Sequence, residues 1–484
     1  MSTPSEALRS VTPMALREID ELPCPPGLPW LGNLLQIDKP HIHAQIEGWA
    51  RRYGNYFTFR LGRQRLLVVA DHGAMGTVLR DRPEGFRRTP RFARIAQEIG
   101  LGAGVFGAEG EAWKRQRKMV MAGFDPRHLR AYFPALVTVC ARLEGRWRRA
   151  ATTGLAIDLQ ADLMRFTVDA ISGLAFGSEV NTLESDDEII QRHLDKIFPA
   201  MFRRLLAPLP FWRWWKTRAD RELDASVIEV NAAIDGFVAA ARRRLDADPA
   251  RRAAPANLLE AMIVAGDDPG SGITDAEVSG NVMTMLLAGE DTTANTLAWA
   301  IWLLSAHPEC LARARAEIDA VAGDPAQWTS ERFASLAWLE ACANETMRLK
   351  PVAPSLTLQA LRDTTIADIR VPAGTLLFAA LRSDSLRDDY FAKAAQFNPQ
   401  RWLDPESGPS ANSANRVSMP FGAGPRVCPG RHLAMLEIKM ALATLLGRFE
   451  IERVDTPDGK EPDEQMSFTM APAGLTMRLQ VRQR

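Results

Sequence analysis

The chain has 484 residues, 46% of them apolar, with acidic and basic side chains in equal number, so its formal net charge is zero. That is enough apolar material for one large domain or two to three ordinary ones, and a neutral balance with no accompanying motif excludes a general nucleic-acid binder. Five cysteines, at 24, 140, 310, 342 and 428, show no paired spacing, which points to a reducing compartment rather than a disulfide framework.

Residues 1–22 carry Glu6, Arg9, Arg17, Glu18, Asp20 and Glu21 and contain no apolar core long enough for a signal peptide or membrane anchor. A tail over 1–22, no stable membrane insertion and a cytoplasmic location are therefore expected, followed by one catalytic domain over 23–484, because no composition break interrupts that span. Pro23-Cys-Pro-Pro-Gly-Leu-Pro-Trp30 cannot be helical. Alternating apolar residues over 56–61 and 65–70 predict a hairpin, while most of the remainder reads as long helices. In Glu111-Ala-Trp-Lys-Arg-Gln-Arg-Lys118, Trp113 and Arg117 stand one helical turn apart, so an indole N–H and a guanidinium can reach the same anion. Lys114, Arg115 and Lys118 would present a basic face to solvent, suited to an acidic partner.

Further along, Pro210-Phe-Trp-Arg-Trp-Trp-Lys216 is either a membrane-touching segment or a packed loop between helices, and the packed loop is the expectation. Residues 239–256, rich in Ala and Arg, read as a solvated helix end and linker. The longest apolar stretch, 282–304, is interrupted by Ala288-Gly-Glu-Asp-Thr-Thr-Ala294, which a membrane span would not tolerate. Two acids and two hydroxyls inside a buried helix are costly unless used, and threonines there can bond back to preceding carbonyls and open the helix locally. Glu345 and Arg348 share one helix face; alone, such a pair is a surface salt bridge. A final strand pair is expected near 466–482.

Phe421-Gly-Ala-Gly-Pro-Arg-Val-Cys-Pro-Gly430 carries the most chemistry. Gly424 permits a turn that a side chain would forbid, letting backbone N–H groups point toward the Cys428 sulfur. Pro429 suits a first helical position before the helical pattern of residues 431–440, which would set the sulfur near a positive helix end. Such a thiolate can be a nucleophile, a zinc ligand or an axial ligand to heme iron. For the first two, His432 is the only partner nearby.

Phe421, Gly424, Arg426, Cys428 and Gly430 match the heme-binding loop of the cytochrome P-450 family, and this chain resembles that family in three further motifs with the right order and spacing. The resemblance implies a mainly α fold with small β-sheets, of the α+β class, built as a single large helical domain whose long central helix lies over the heme. It implies heme b held by Cys428 as axial thiolate, with propionates on Trp113, Arg117 and Arg426 and with Phe421, Gly424, Gly430 and Ala288 around the cofactor. Asp291 and Thr292 match an acid–alcohol pair that delivers protons to the reacting oxygen, with Glu290 as a further acid. Phe397-Asn-Pro-Gln-Arg-Trp402 resembles the segment whose arginine, here Arg401, joins Glu345 and Arg348 in a buried triad.

Two positions depart from the pattern. Gln359 stands where many members place a second propionate-binding arginine, and Leu386 where a histidine is common; Arg382 is the nearest substitute ligand. The implied reaction is insertion of one oxygen atom of O2 into a hydrophobic organic substrate such as a fatty acid, steroid or terpenoid. The chain would be a monomer, and electrons would come from NAD(P)H through a separate ferredoxin or flavodoxin-type donor on the basic face. A heme-thiolate peroxygenase or isomerase, which needs no donor, is the rival enzyme, and the Asp291–Thr292 pair argues against it. A non-catalytic heme sensor or ligand carrier would need only Cys428. The same resemblance walls the substrate pocket with residues 87–106, 194–215, the helix above Ala288, 352–358 and 468–470, mostly apolar. Arg87, Arg88, Arg91 and Arg94 would be carboxylate ligands at its mouth or charges on the propionate side.

Overall fold

The apolar run in the middle of the chain forms a 32-residue helix, Asp275–Ala306, in the computed structural model, which describes residues 16–177, 180–185, 189–404 and 414–483. Thr274 starts this central helix with a reciprocal cap: its hydroxyl accepts from the Glu277 amide, and the Glu277 carboxylate accepts from the Thr274 amide at 2.9 Å. Nearly every side chain from Val278 to Leu304 is buried, which makes this a core helix enclosed on all sides rather than an amphipathic one. It lies along the helix Leu159–Phe176, itself almost wholly buried. The exception is one turn: Ala288 is exposed, and Gly289, Asp291 and Thr292 are partly so, although buried residues flank them. There the core helix borders open space.

The fold is mainly helical with small sheets, as expected. The hairpin Tyr56–Leu61 and Gln64–Val69 is present, and it is two-fifths of a five-stranded sheet completed by Leu376–Ala380, Ser355–Ala360 and Phe86–Arg88 in that order. The last two strands pair antiparallel with Arg87 opposite Gln359. Other expectations change. Arg17–Glu18 is not loose tail but a short parallel strand against Ile369–Val371, fastened by Arg17 to Asp368 at 2.6 Å, while 1–15 lie outside the described residues. The terminal strands are not one pair. Glu464–Met466 turns back on Met470–Pro472, and Thr476–Val481 pairs instead with Phe449–Asp455. The expected linker is mostly helix, Arg218–Ala247 and then Pro249–Ala253, and Arg244 and Arg251 both bind the fully buried Glu260. No helix among the described residues is long and apolar enough to cross a membrane.

Glu345 and Arg348, on the helix Ala337–Leu349, are both completely buried, so they are no surface pair. Arg348 donates two bonds of 2.8 Å to the Glu345 carboxylate, and Arg401 adds one of 3.0 Å. Trp402 Nε1 and the Asn398 amide, each at 2.9 Å, bring the total to five. The carboxylate thereby joins this helix to the segment that leads toward the cysteine loop. Burial alone would raise the Glu345 carboxyl, but the Arg348 and Arg401 partners hold it below the ordinary glutamate value.

Removing one partner strands a buried charge, so Glu345→Ala or Arg401→Ala should lose roughly 3–5 kcal/mol, read as a lower unfolding free energy and lower heme content. Because the folded value is depressed, this stabilisation is complete above the unfolded glutamate pKa and is lost as pH falls through the folded one. The acid-side slope of stability against pH should accordingly be shallower in Glu345→Gln.

Candidate active site

Two glycines turn the cysteine loop, Gly422 at φ +73° and Gly424 at φ +69°. A Cβ on Gly424 would lie 2.7 Å from Arg80 Cα, so the loop rests directly on the end of the helix His72–Arg80. The Cys428 amide donates to the Phe421 carbonyl at 2.9 Å and closes the turn. Burial pushes the Cys428 thiol up; a hydrogen bond from the Gly430 backbone and the charges of Arg117 and Arg431 oppose that shift. The following helix is Arg431–Arg448 with Gly430 as its cap, so Pro429 precedes the cap and does not take the first helical position expected of it.

Trp113 and Arg117 lie on the helix Gly110–Gly123, with Trp113 buried. Arg117 Nη2 donates to the Val427 carbonyl at 2.8 Å, and the Arg426 guanidinium sits 4.7 Å from the centre of the Trp113 ring. Arg426 also reaches the Ala108 carbonyl at 2.7 Å and Glu109 at 2.6 Å. Trp113, Arg117, Arg426 and Cys428 are thus brought together. Two more guanidiniums join them. Arg82 is buried, with Nε and Nη2 lacking any hydrogen-bond partner and Glu109 at 3.7 Å. Arg88 donates to the Phe106 carbonyl at 3.1 Å and lies over the Phe92 and Phe106 rings. Burial, with a smaller push from the neighbouring arginines and against the opposing charge of Glu109, lowers Arg88 to about 9 and Arg426 to about 10. The unpartnered Arg426 Nε is a further orphan. Four guanidiniums against the single carboxylate of Glu109 form a site short of negative charge, which suits a dianionic group placed beside a thiolate. Arg82 and Glu109 were not legible as site residues: both are ordinary loop charges until burial places them.

Arg382 is a correction. It is not free to serve as a propionate ligand, because its five N–H groups are committed to Glu47, Glu464 and the Leu349 carbonyl at 2.9–3.2 Å. Gln359 accepts two bonds from Arg87, at 2.9 and 3.1 Å, and Leu386 packs against the main core. Arg91 donates to the Arg204 and Ala207 carbonyls, and of the loop arginines Arg87, Arg88, Arg91 and Arg94 only Arg94 is exposed.

On the central helix, Thr292 Oγ1 donates back to the Ala288 carbonyl at 2.6 Å, yet the helix stays continuous and does not open there as expected. Asp291 does not bond to Thr292. Its Oδ1 accepts from Asn295 Nδ2 at 3.0 Å and its Oδ2 from the Thr469 hydroxyl. Burial raises the Asp291 carboxyl, and those two donors partly offset it. Glu290 is buried with one carboxylate oxygen unpartnered, and burial together with Asp195 and Asp291 pushes it well above the usual range. Facing this turn is an aromatic cluster: Phe468 stacks on Phe198 at 4.6 Å and meets Phe106 edge-on at 6.1 Å, while Phe92 meets Phe106 at 5.6 Å. In the 210–216 segment, Trp212 is buried and donates to Glu98 at 2.8 Å, while Trp214 and Trp215 are 73% and 80% exposed, so only part of it packs as expected.

A mainly helical fold brings one loop cysteine together with a surplus of buried guanidiniums, an arrangement that suits an anionic cofactor. The chain belongs to the cytochrome P450 family, which it matches over residues 22–479, and it is accordingly an oxidoreductase of the heme monooxygenase type. A cytochrome P450 of Paris polyphylla, CYP94D108, is 29% identical over 85% of this chain and 84% of its own length. Cyclooctat-9-en-7-ol 5-monooxygenase of Streptomyces melanosporofaciens is 27% identical over 89% and 92%. The self-sufficient cytochrome P450 monooxygenase CYP505E3 of Phanerodontia chrysosporium is 28% identical, with 93% of this chain matching 42% of that protein.

The two loop glycines differ in what surrounds them, and this sets a test. Around a Cβ on Gly422 there is nothing within 4 Å, so Gly422→Ala should cost only the left-handed preference, about 1–2 kcal/mol. Gly424→Ala meets backbone in addition and should lose most of its bound heme, measured as heme per chain.

Proposed function

We propose that this protein is a heme-thiolate monooxygenase that inserts one oxygen atom from O2 into a hydrophobic organic substrate, with electrons delivered by a separate ferredoxin or flavodoxin-type protein. The observation that carries the reading is the constellation of Cys428 with Arg82, Arg88, Arg117 and Arg426, in which buried N–H groups lack partners that an anionic cofactor would provide. Cys428 would be the axial ligand, with Trp113, Arg117 and Arg426 on the propionates and Phe421, Gly424, Gly430 and Ala288 bordering the cofactor. Bound heme would supply dioxygen activation, to which a thiolate ligand contributes electron density.

The remaining work falls to the chain. Thr292 Oγ1, on the one turn of the central helix that borders open space, would hold a proton or a water next to the reacting centre. Asp291 would replenish it, with Glu290 as a more deeply buried reserve. Phe92, Phe106, Phe198 and Phe468 would exclude water and accept an apolar body, which fits a fatty acid, steroid or terpenoid better than a sugar or nucleotide. The relative named for cyclooctat-9-en-7-ol supports an apolar substrate. Commitment of Arg87 and Arg91 within the protein weakens the case for a carboxylate clamp at the mouth.

Lys114, Arg115 and Lys118 are exposed on the helix that carries Trp113 and Arg117, and would form the donor-docking face. Lys114 is partly neutralised by Glu111 at 2.8 Å and Glu84 at 3.1 Å. We infer a cytoplasmic monomer.

Cys428→Ser should lose the thiolate-specific absorption of the reduced carbon monoxide complex and all turnover; a variant that kept both would contradict the assignment. Thr292→Ala should still bind heme and substrate and still accept electrons. Its productive protonation should be impaired on the scale of a general acid–base relay, about 100- to 10,000-fold, with reducing equivalents appearing as hydrogen peroxide. Unchanged product per reduced cofactor would return Thr292 to a helix-packing role.

A further inference from the structure

The hairpin formed by Glu464–Met466 and Met470–Pro472 drives its tip, Ser467-Phe-Thr469, against the central helix. It is anchored on both sides: the Met466 amide donates to the Pro40 carbonyl and the Met470 amide to the Val352 carbonyl, each at 2.8 Å. The Ser467 amide closes the tip on the Thr469 carbonyl at 3.0 Å, and Phe468 is held at φ +99°, a backbone conformation that a bulky residue adopts only where its surroundings enforce it. That conformation sends adjacent side chains to two different places. Phe468 enters the aromatic cluster against Phe198, Phe106 and Phe92, and the Thr469 hydroxyl donates to Asp291 Oδ2.

Asp291 is therefore held by both oxygens. On the Oδ1 side Asn295 lies one turn along the same helix, and its own Oδ1 accepts Gln160 Nε2 at 3.1 Å, which fixes the amide with its NH2 toward Asp291. That bond cannot open without breaking a second one. The Thr469 bond comes from a separate element, and the neighbouring residue on that element is a ring bordering the proposed substrate chamber.

We propose that Thr469 is a positioning residue for Asp291, and that the hairpin tip couples occupation of the aromatic chamber by an apolar ligand to release of this acid toward Thr292 and water. The proposal rests on the proton-handling role given to Asp291 above. The charged groups about Asp291 make such a contact consequential. The Asp291 charge acts on Glu290, on the same helix, and on Asp195, at the break between Ile189–Leu194 and Ile197–Leu206, while Arg165 and Lys196 face Asp195. Burial and the Asp291 charge raise Asp195 to about 6. Burial favours protonated Asp291, and the Thr469 hydroxyl, together with Asn295, opposes it by stabilising the charged form.

The test uses heme-loaded full-length protein, with Thr469→Val to remove the donor at nearly constant volume and Thr469→Ser to restore it. Infrared difference spectra, with the carboxyl bands assigned through Asp291→Asn, are recorded with and without naphthalene as the apolar probe. In wild type the Asp291 band should move on probe binding. In Thr469→Val it should already occupy the shifted position and ignore the probe, and Thr469→Ser should behave as wild type. Loss of one hydrogen bond to a charged group should also move the pH at which product gives way to peroxide upward by about one to two units. An Asp291 band in wild type that ignores the probe would overturn the proposal even if Thr469→Val failed to fold, as would a folded Thr469→Val with the wild-type band and pH profile. Absence of any substrate-linked oxygen uptake in wild type would instead refute the monooxygenase reading, and the infrared comparison would still decide the role of Thr469.

Discussion

Burying the Glu345 carboxylate without any contact with water is the constraint around which the C-terminal half is arranged. A bare carboxylate in that position would be prohibitive, and five N–H donors from two chain segments make it tolerable. The Arg348 guanidinium completes its own bonding on the Ser385 and Gln396 carbonyls. The helix Ala337–Leu349, the turn at 383–386 and the segment 396–402 therefore cannot shift independently. The chain that leaves this knot goes on to form the cysteine loop, whose placement against the end of His72–Arg80 leaves no space even for a methyl group at Gly424.

With the scaffold fixed, the site separates charge. On the cysteine side, guanidiniums outnumber carboxylates, and several of their N–H groups have no acceptor among the described residues. On the central-helix side stand Asp195, Glu290 and Asp291, carboxyls whose proton affinity burial raises, with repulsion adding to it at Asp195 and Glu290. The first arrangement favours an anionic cofactor and the second favours carboxyls that hold a proton more tightly than ordinary ones. In the proposed reading a monooxygenase uses both, and the aromatic cluster would keep water from the reacting centre.

Much of this was legible in the sequence because it is local. Glycine spacing showed the cysteine loop, a one-turn spacing paired Trp113 with Arg117, alternation showed the hairpin at 56–69, and an acid–alcohol interruption marked the core helix. What was missed depends on partners far apart in the chain. Arg382 looked like a free cation near the site, whereas its acceptors Glu47 and Glu464 lie 335 and 82 residues away. Asp291 and Thr292 are neighbours in sequence, yet successive helical side chains diverge, and Asp291 finds Thr469 from 178 residues away. Arg82 carries no local mark of function at all.

If Cys428 holds the heme as proposed, its sulfur meets the iron directly. X-ray absorption at the iron edge of the heme-loaded wild-type protein tests it without relying on turnover, substrate or a redox partner. One sulfur is expected in the first coordination shell beside the four porphyrin nitrogens. A shell of nitrogen and oxygen only would contradict it, and would assign the cysteine loop a structural role.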